Sequence, residues 1–217
     1  DVRYLSNFSS GKMANSLALM AYLLGAQVTL VTTKLSHALP KAIQQHLASS
    51  TQEMKDALTA ILKRSNEPII SETTLLGNSR PQDILKTPIF FSAAAVSDYV
   101  PTKKTSGKLK KIDLGQQWNL TLHQNSDILK EVVQDNVIRI GFKAEFDSNN
   151  ALESAKTMLE HKNLDGVALN VLGGDIHFGS DHSQMTFITS SKIINIKNAP
   201  KVLIAYNLLH QVKGSFQ

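Results

Sequence analysis

The sequence predicts an α/β protein with a mostly parallel sheet covered by helices on both faces. Two observations carry this. Three near-continuous apolar runs, Pro88–Ala95 (PIFFSAAA), Val137–Phe142 (VIRIGF) and Asp165–Val171 (DGVALNV), read as strands buried on both sides. Helical patterns alternate with strand patterns along the chain, as in parallel strands joined by crossover helices.

Taken in order, Lys12–Leu24 reads as a helix, with Gly25 as its C-terminal signal. Gln27–Thr33 (QVTLVTT) is a β-branched strand. Ser50–Arg64 is helical and opens with Ser50 and Glu53 in capping-box spacing. After the first apolar run comes Lys103–His123, basic and polar, holding Gly107, Gly115 and the sole Trp118. It reads as a flap or hairpin outside the sheet, about 101–123. The helix Ala151–His161 lies between the other two apolar strands. Met185–Thr189 and Lys192–Ile196 form a late hairpin, and Ala199–Val212 a closing amphipathic helix. No repeat appears, and 1–217 reads as a single domain.

Composition narrows the class. The 217 residues are 42% apolar, enough for a sizeable core. No run of about 18 apolar residues exists, so no membrane span is expected. No signal peptide is visible, and the cytoplasm is the default location. Cysteine is absent, which excludes disulfides, thiolate zinc sites and a cysteine nucleophile. The seven histidines are scattered, with no ligand pair at helical spacing. The formal net charge is +5, with lysines clustered at Lys103–Lys111. Such a cluster suits nucleic acid or phosphorylated small molecules.

A Rossmann-like sheet binds ligands at the carboxyl ends of its strands. Three segments matter most. In DVRYLSNFSSGKM, Ser9, Ser10 and Gly11 are small and precede a helix, whose first unpaired N–H groups favour an anion. Arg3 and Lys12 add positive charge. The plainer reading is an N-cap. In AAAVSDY, an apolar strand runs out into Ser97 and Asp98, where a carboxylate can meet a metal–phosphate or a ribose hydroxyl, or simply serve the turn. In GFKAE, Phe142 at a strand end suits either stacking on a base or the core.

Seven short segments in order resemble the phosphopantothenate–cysteine ligase family, the phosphopantothenoylcysteine synthetase domain of the coenzyme A pathway. They are VRYLSNFSSGKM, AAAVSDY, KLKK at Lys108–Lys111, NSDIL at Asn125–Leu129, GFKAE, KNLD at Lys162–Asp165 and FGSD at Phe178–Asp181, and together they span nearly the whole chain. The resemblance implies a two-step ligation. The carboxylate of 4'-phosphopantothenate attacks the α-phosphate of a nucleoside triphosphate, giving an acyl-nucleotide and pyrophosphate. The amine of cysteine then expels the nucleotide monophosphate. KLKK is similar to the bacterial type, which implies CTP rather than ATP, with Mg2+ or a similar divalent cation. A homodimer, an upstream flavin-dependent decarboxylase domain, and no nucleic-acid or membrane partner are also implied.

By the same resemblance, Asn7 matches the catalytic asparagine and Lys108 the essential lysine, which also meets the nucleotide. Arg3, Ser9, Ser10 and Gly11 match substrate-binding positions. Ser92, Ala93 and Ala94 match backbone contacts to the nucleotide, and Asp98 a contact to the cytidine nucleotide or its cation. Ser126, Asp127, Ile128 and Leu129 match a nucleotide-binding turn, completed by Phe142 and Lys162. The metal ligands are not implied.

The chain departs from the family pattern at several points. Ser126 stands where proline is usual, Ala14 where glycine is, and Met158 where a second lysine precedes Lys162, with Lys156 nearby. Val171 follows Asn170 where aspartate is usual. The family's first strand and its Gly-Gly-Thr-type turn are expected before Asp1. Two other classes stay open. An NAD(P)-dependent oxidoreductase shares the architecture, but no G-x-G-x-x-G follows a visible strand. A nucleic-acid-binding module needs basic residues interleaved with aromatics, and Lys103–Trp118 offers one.

Overall fold

The computed structural model describes residues 7, 9–65, 87–103, 107–133, 135–173 and 179–216. In chain order the elements are α1 (Lys12–Leu23), β1 (Thr29–Thr32), β2 (Gln44–Leu47), α2 (Thr51–Ser65), β3 (Ile89–Ser92), β4 (Tyr99–Pro101), α3 (Lys111–Leu114), β5 (Leu122–Gln124), α4 (Ile128–Glu131), β6 (Ile138–Glu145), α5 (Ser148–His161), β7 (Gly166–Val171), β8 (His182–Ile188), β9 (Ile193–Pro200) and α6 (Lys201–Phe216).

A five-stranded sheet has the order β3-β6-β7-β8-β9. The apolar runs form its parallel part, β3-β6-β7. The late hairpin adds β8 and β9 antiparallel, so this sheet is mixed. That hairpin is longer than its apolar residues indicate, because backbone pairing continues from His182 to Pro200. The closing helix therefore starts at Lys201, two residues later than the pattern predicts, and runs on to Phe216. β1 pairs in parallel with β2 in a separate sheet.

Both faces of the large sheet are covered, as expected. Met54, Leu58 and Leu62 of α2, Ile128 and Leu129 of α4, and Ala151, Ala155 and Leu159 of α5 pack with Val167 and Leu169 on one face. On the other, Leu17 of α1 and Ile204, Ala205, Leu208 and Val212 of α6 pack with Ile140, Ala168 and Phe187. The alternation of Val167, Ala168 and Leu169 between the two clusters is the period-two signature of a strand buried on both faces.

Local signals hold at the helix ends. Gly25 sits at φ 87°, its N–H donates to Tyr22 O, and Ala26 N–H reaches back to Ala21 O, which closes α1 in a Schellman motif. Ser50 Oγ accepts from Glu53 N–H, and the Glu53 carboxylate accepts from Ser49 N–H, one residue before the usual partner.

Gly166 is a packing requirement. A Cβ there would lie 2.6 Å from Phe187 Cε2 and 3.0 Å from Ile140 Cδ1, both fully buried. Gly166→Ala is expected to cost about 1–3 kcal/mol through overpacking. Gly214→Ala, in α6 where an added methyl meets open space, is expected to gain roughly 0.5–1 kcal/mol by helix propensity. Urea midpoints of the two variants check both signs.

Candidate active site

The site is assembled at the carboxyl end of β3. The strand runs out after Ser92, and residues 93–98 form an irregular loop leading into β4. Asn7 lies against this loop and donates from Nδ2 to Ala95 O at 3.2 Å, across 88 residues of sequence. Asn7 of the first motif and AAAVSDY therefore meet in space. Ala94 and Asp98 are exposed, and Ser92 and Ala93 are half-buried.

Asn125 holds the loop from the other side. Its backbone N–H donates to Asp98 O at 2.7 Å, and its Nδ2 lies 2.8 Å from both Ser97 O and Thr51 Oγ1. Its Oδ1 accepts from Ser126 N–H at 2.9 Å. One side-chain amide thus links the β3 loop, the start of α2 and the start of α4. Asp127 then caps α4 by accepting from Lys130 N–H, and its other oxygen pairs with Lys162 Nζ at 2.6 Å. Asp98, Ser126, Asp127 and Lys162 form a connected series. Ile128 and Leu129 are buried in the core, so only their backbone can face a ligand.

The basic segment is a flap, as the sequence predicts. β4 leaves directly after Asp98 and β5 returns directly before Asn125, paired antiparallel. Thr102 N–H and its hydroxyl both reach Thr121 O at 3.0 Å. Lys108 lies exposed beyond this base, with no hydrogen bond or ion pair to another described residue. Phe142 is half-buried against the cluster that holds Leu17 and Ile140. Arg3 lies outside the described residues.

Ser9, Ser10 and Gly11 are exposed just before α1. Gly11 has φ 66°, a left-handed conformation that glycine adopts without strain, and space for a Cβ is open there. Lys12 closes the turn. Its Nζ donates to Gly179 O at 2.7 Å and to Asp181 Oδ1 at 2.6 Å. That contact holds the Asp181 carboxyl below the ordinary aspartate range. Beside it lies an open cleft of about 400 Å³ lined also by Asn15, Pro200 and Lys201.

The GFKAE segment divides its residues between packing and charge. Gly141 leaves room for Leu164, Met158 and Leu129, whose side-chain ends would lie 2.8–3.0 Å from a Cβ. Met158 is thus a packing residue. Glu145 accepts from Ser154 Oγ at 2.8 Å and pairs with Lys143 at 3.1 Å. The Ser154 hydrogen bond, then the Lys143 contact, holds its carboxyl below the ordinary glutamate range. Such a group adds stability above its unfolded pKa, lost as pH falls through the lower folded value. Glu145→Gln should therefore lower the denaturation midpoint at pH 7, with the gap to the parent narrowing below about pH 4. Midpoints measured across that range test this.

A family model described as the DNA/pantothenate metabolism flavoprotein C-terminal domain matches residues 1–74 and 70–215. The chain belongs to this family. The resemblance drawn from the seven motifs is borne out. Within the family, the chain is 31% identical over 216 residues to the coenzyme A biosynthesis bifunctional protein CoaBC of Vibrio vulnificus (strain CMCP6), covering 98% of this chain and 48% of that protein. The CoaBC protein of Borreliella burgdorferi is 32% identical over 212 residues, with 96% and 47% covered. The chain thus spans about half the length of these curated relatives. A crystal structure of the C-terminal domain of CoaBC superposes with a TM-score of 0.70 at 24% identity, covering 98% of this chain and 86% of that one. A Cab2 mutant in complex with phosphopantothenate-cysteine superposes with a TM-score of 0.66 at 16% identity, covering 99% and 81%. Those likenesses establish the shared α/β fold.

Two functional candidates carry no assigned role in the sequence reading. Asn125 is visible in NSDIL only as the residue before a helix start. Asp181 is visible only as the last residue of the FGSD segment. Their partners lie 28 and 169 residues away, and no local period signals them.

Proposed function

We propose that the chain is a phosphopantothenate–cysteine ligase of the CTP-using type, giving 4'-phosphopantothenoylcysteine, CMP and pyrophosphate. The observation that carries the reading is the contact of Asn7 with the loop after β3. It joins the segment matched to the acyl substrate with the segment matched to the nucleotide. The names of the CoaBC relatives support the same pathway.

In the first step a carboxylate oxygen of 4'-phosphopantothenate bonds to the α-phosphorus of CTP, and the bond to pyrophosphate breaks. Two anions meet, so an ammonium from the flap, Lys108, offsets the charge that builds on the phosphoryl oxygens. In the second step the cysteine amine bonds to the acyl carbon, CMP leaves, and the amine loses a proton. Asn7 suits this step because an amide can donate to the developing oxyanion without titrating. Ser9, Ser10 and Gly11 offer backbone N–H groups to the substrate, with Arg3 as the matched cation. Ser92, Ala93, Ala94 and the 126–129 turn offer small or backbone surfaces to the nucleotide, with Phe142 and Lys162 completing the set.

No group of three His, Asp or Glu able to hold a metal occurs among the described residues. Magnesium would then arrive on the triphosphate, its phosphate oxygens supplying ligands, as is usual for this ion. Asp98, exposed after β3 and matched to the nucleotide or its cation, would be the carboxylate to join them. A homodimer, an upstream flavin-dependent decarboxylase domain and a cytoplasmic location belong to the same proposal. The word bifunctional in the relatives' names supports the fusion. No described helix is long and apolar enough to cross a membrane.

The test is product formation with CTP, 4'-phosphopantothenate and cysteine, expected to match pyrophosphate one for one. Absence of the cysteine adduct would refute the reading. Asn7→Asp should leave pyrophosphate release largely intact and slow cysteine addition, because a carboxylate repels the oxyanion. The acyl-cytidylate should then accumulate. Equal loss of both half-reactions would show the role to be misassigned.

A further inference from the structure

The FGSD segment has no role in the chemistry above, yet its turn is gripped from two helices. Lys12 is the first residue of α1 and Lys201 the first of α6. Lys12 Nζ holds Gly179 O and Asp181 Oδ1, at 2.7 and 2.6 Å. Lys201 Nζ donates to Ser180 O, and its backbone N–H donates to Asp181 O at 2.8 Å. Every residue of 179–181 is engaged.

This arrangement runs against local preference. A helix N-terminus carries partial positive charge and disfavours a cation. Here two ammonium groups sit at two such ends that share one cleft, with Asp181 as the carboxylate among them. Burial first, and Lys12 next, weaken the hold of Lys201 on its proton. The cost is offset by what the contacts fix. Lys12 directly follows Ser9–Gly11, and Asn15 N–H donates to Gly11 O at 2.9 Å. The turn is thus tied to α1 at its own end and to residues 179–181 through Lys12. Asn7, on its other side, is tied to Ala95.

We propose that Asp181, through Lys12, is a positioning residue that holds the Ser9–Gly11 turn in the geometry needed to bind the phosphorylated carboxylic acid substrate. This rests on the reading of that turn as the acyl-substrate site. Asp181 is assigned contact with none of the three substrates, and the nucleotide loop is held separately by Asn125.

The test combines kinetics with a readout independent of the reaction. Asp181→Ala should raise KM for 4'-phosphopantothenate by roughly tenfold to a hundredfold, the scale of misplacing a binding group by about an ångström. KM for CTP should stay within about twofold, because the two loops are held by different residues. Lys12→Met should reproduce the effect, and the double variant should be no worse than either single one. Lys12→Arg, which keeps the cation, should retain most of the affinity. In the absence of any substrate, exchange of the Asn15 amide, which donates to Gly11 O, should speed up by about tenfold in Asp181→Ala, while β6 and β7 keep their protection. Asp181→Asn serves as the milder variant if the alanine form loses its thermal transition. Equal rises in both KM values, additive effects of the two variants, or unchanged exchange of the Asn15 amide would each overturn the proposal. If the parent makes no cysteine adduct, the ligase reading falls, and the exchange experiment alone decides whether Asp181 orders the turn.

Discussion

Lys108→Gln is expected to slow pyrophosphate release by roughly 10²–10³, the usual cost of losing one preorganised stabiliser of transition-state charge. Attack at the α-phosphorus brings a carboxylate toward a polyanion, so the barrier is dominated by charge. Lys108 is the first lysine of KLKK and lies exposed in the flap that leaves the site at Asp98 and returns at Asn125. An exposed lysine contributes little to folding, so the thermal midpoint should not move. Lys110→Gln serves as the control and should cost far less. Parent-like pyrophosphate release by Lys108→Gln, with collapse of the control, would show that the lysine is misassigned. Two silent variants would mean that the flap is a solvated edge.

CTP should be preferred over ATP by up to ~10⁴ in kcat/KM, the scale reached when a site hydrogen-bonds one substrate and leaves its buried polar groups unpaired with another. The preference follows from the resemblance of KLKK to the bacterial type. The loop of Ser92–Asp98 and the turn of Ser126–Leu129 are clamped to each other by Asn125. A clamped loop presents its backbone groups at fixed positions, so a base that does not match them leaves them unpaired. Initial rates of pyrophosphate release with each nucleotide, at saturating 4'-phosphopantothenate, measure the ratio. Equal turnover with both would contradict the assignment.

The parts of the fold legible in the sequence are those where one force dominates. β3 and β7 carry apolar residues on both sides because both faces are covered, and that pattern survives without tertiary information, whereas in β6 only the face of Ile138, Ile140 and Phe142 is apolar and the other carries Arg139, Lys143 and Glu145. α1 is legible from Gly25, which takes the left-handed conformation its position requires. β2 escapes notice because Gln44–Leu47 is polar and largely exposed; it is held by pairing with β1 rather than by burial. The start of α6 is shifted because Ala199 and Pro200 complete the ladder with β8, which no helical period reveals.

The site divides in the same way. The carboxyl end of β3 is legible from the apolar run and from Ser97 and Asp98 that follow it. Asp127 as a helix cap is legible from local chemistry. Asn125, Asp181 and Lys201 act through contacts between distant segments, and their residue types occur in ordinary turns just as often. Phe142 leaves both of its sequence readings standing, since it packs on the core and also sits toward the end of β6.

The most direct measurement of the central claim is a quenched reaction of the protein with CTP and 4'-phosphopantothenate, without cysteine, read by mass. The account predicts pyrophosphate and the mixed anhydride of 4'-phosphopantothenate with CMP in equal amounts, converted to 4'-phosphopantothenoylcysteine and CMP when cysteine is added. Release of inorganic phosphate with a CDP product, or pyrophosphate with no acyl-nucleotide and no cysteine adduct, would contradict it.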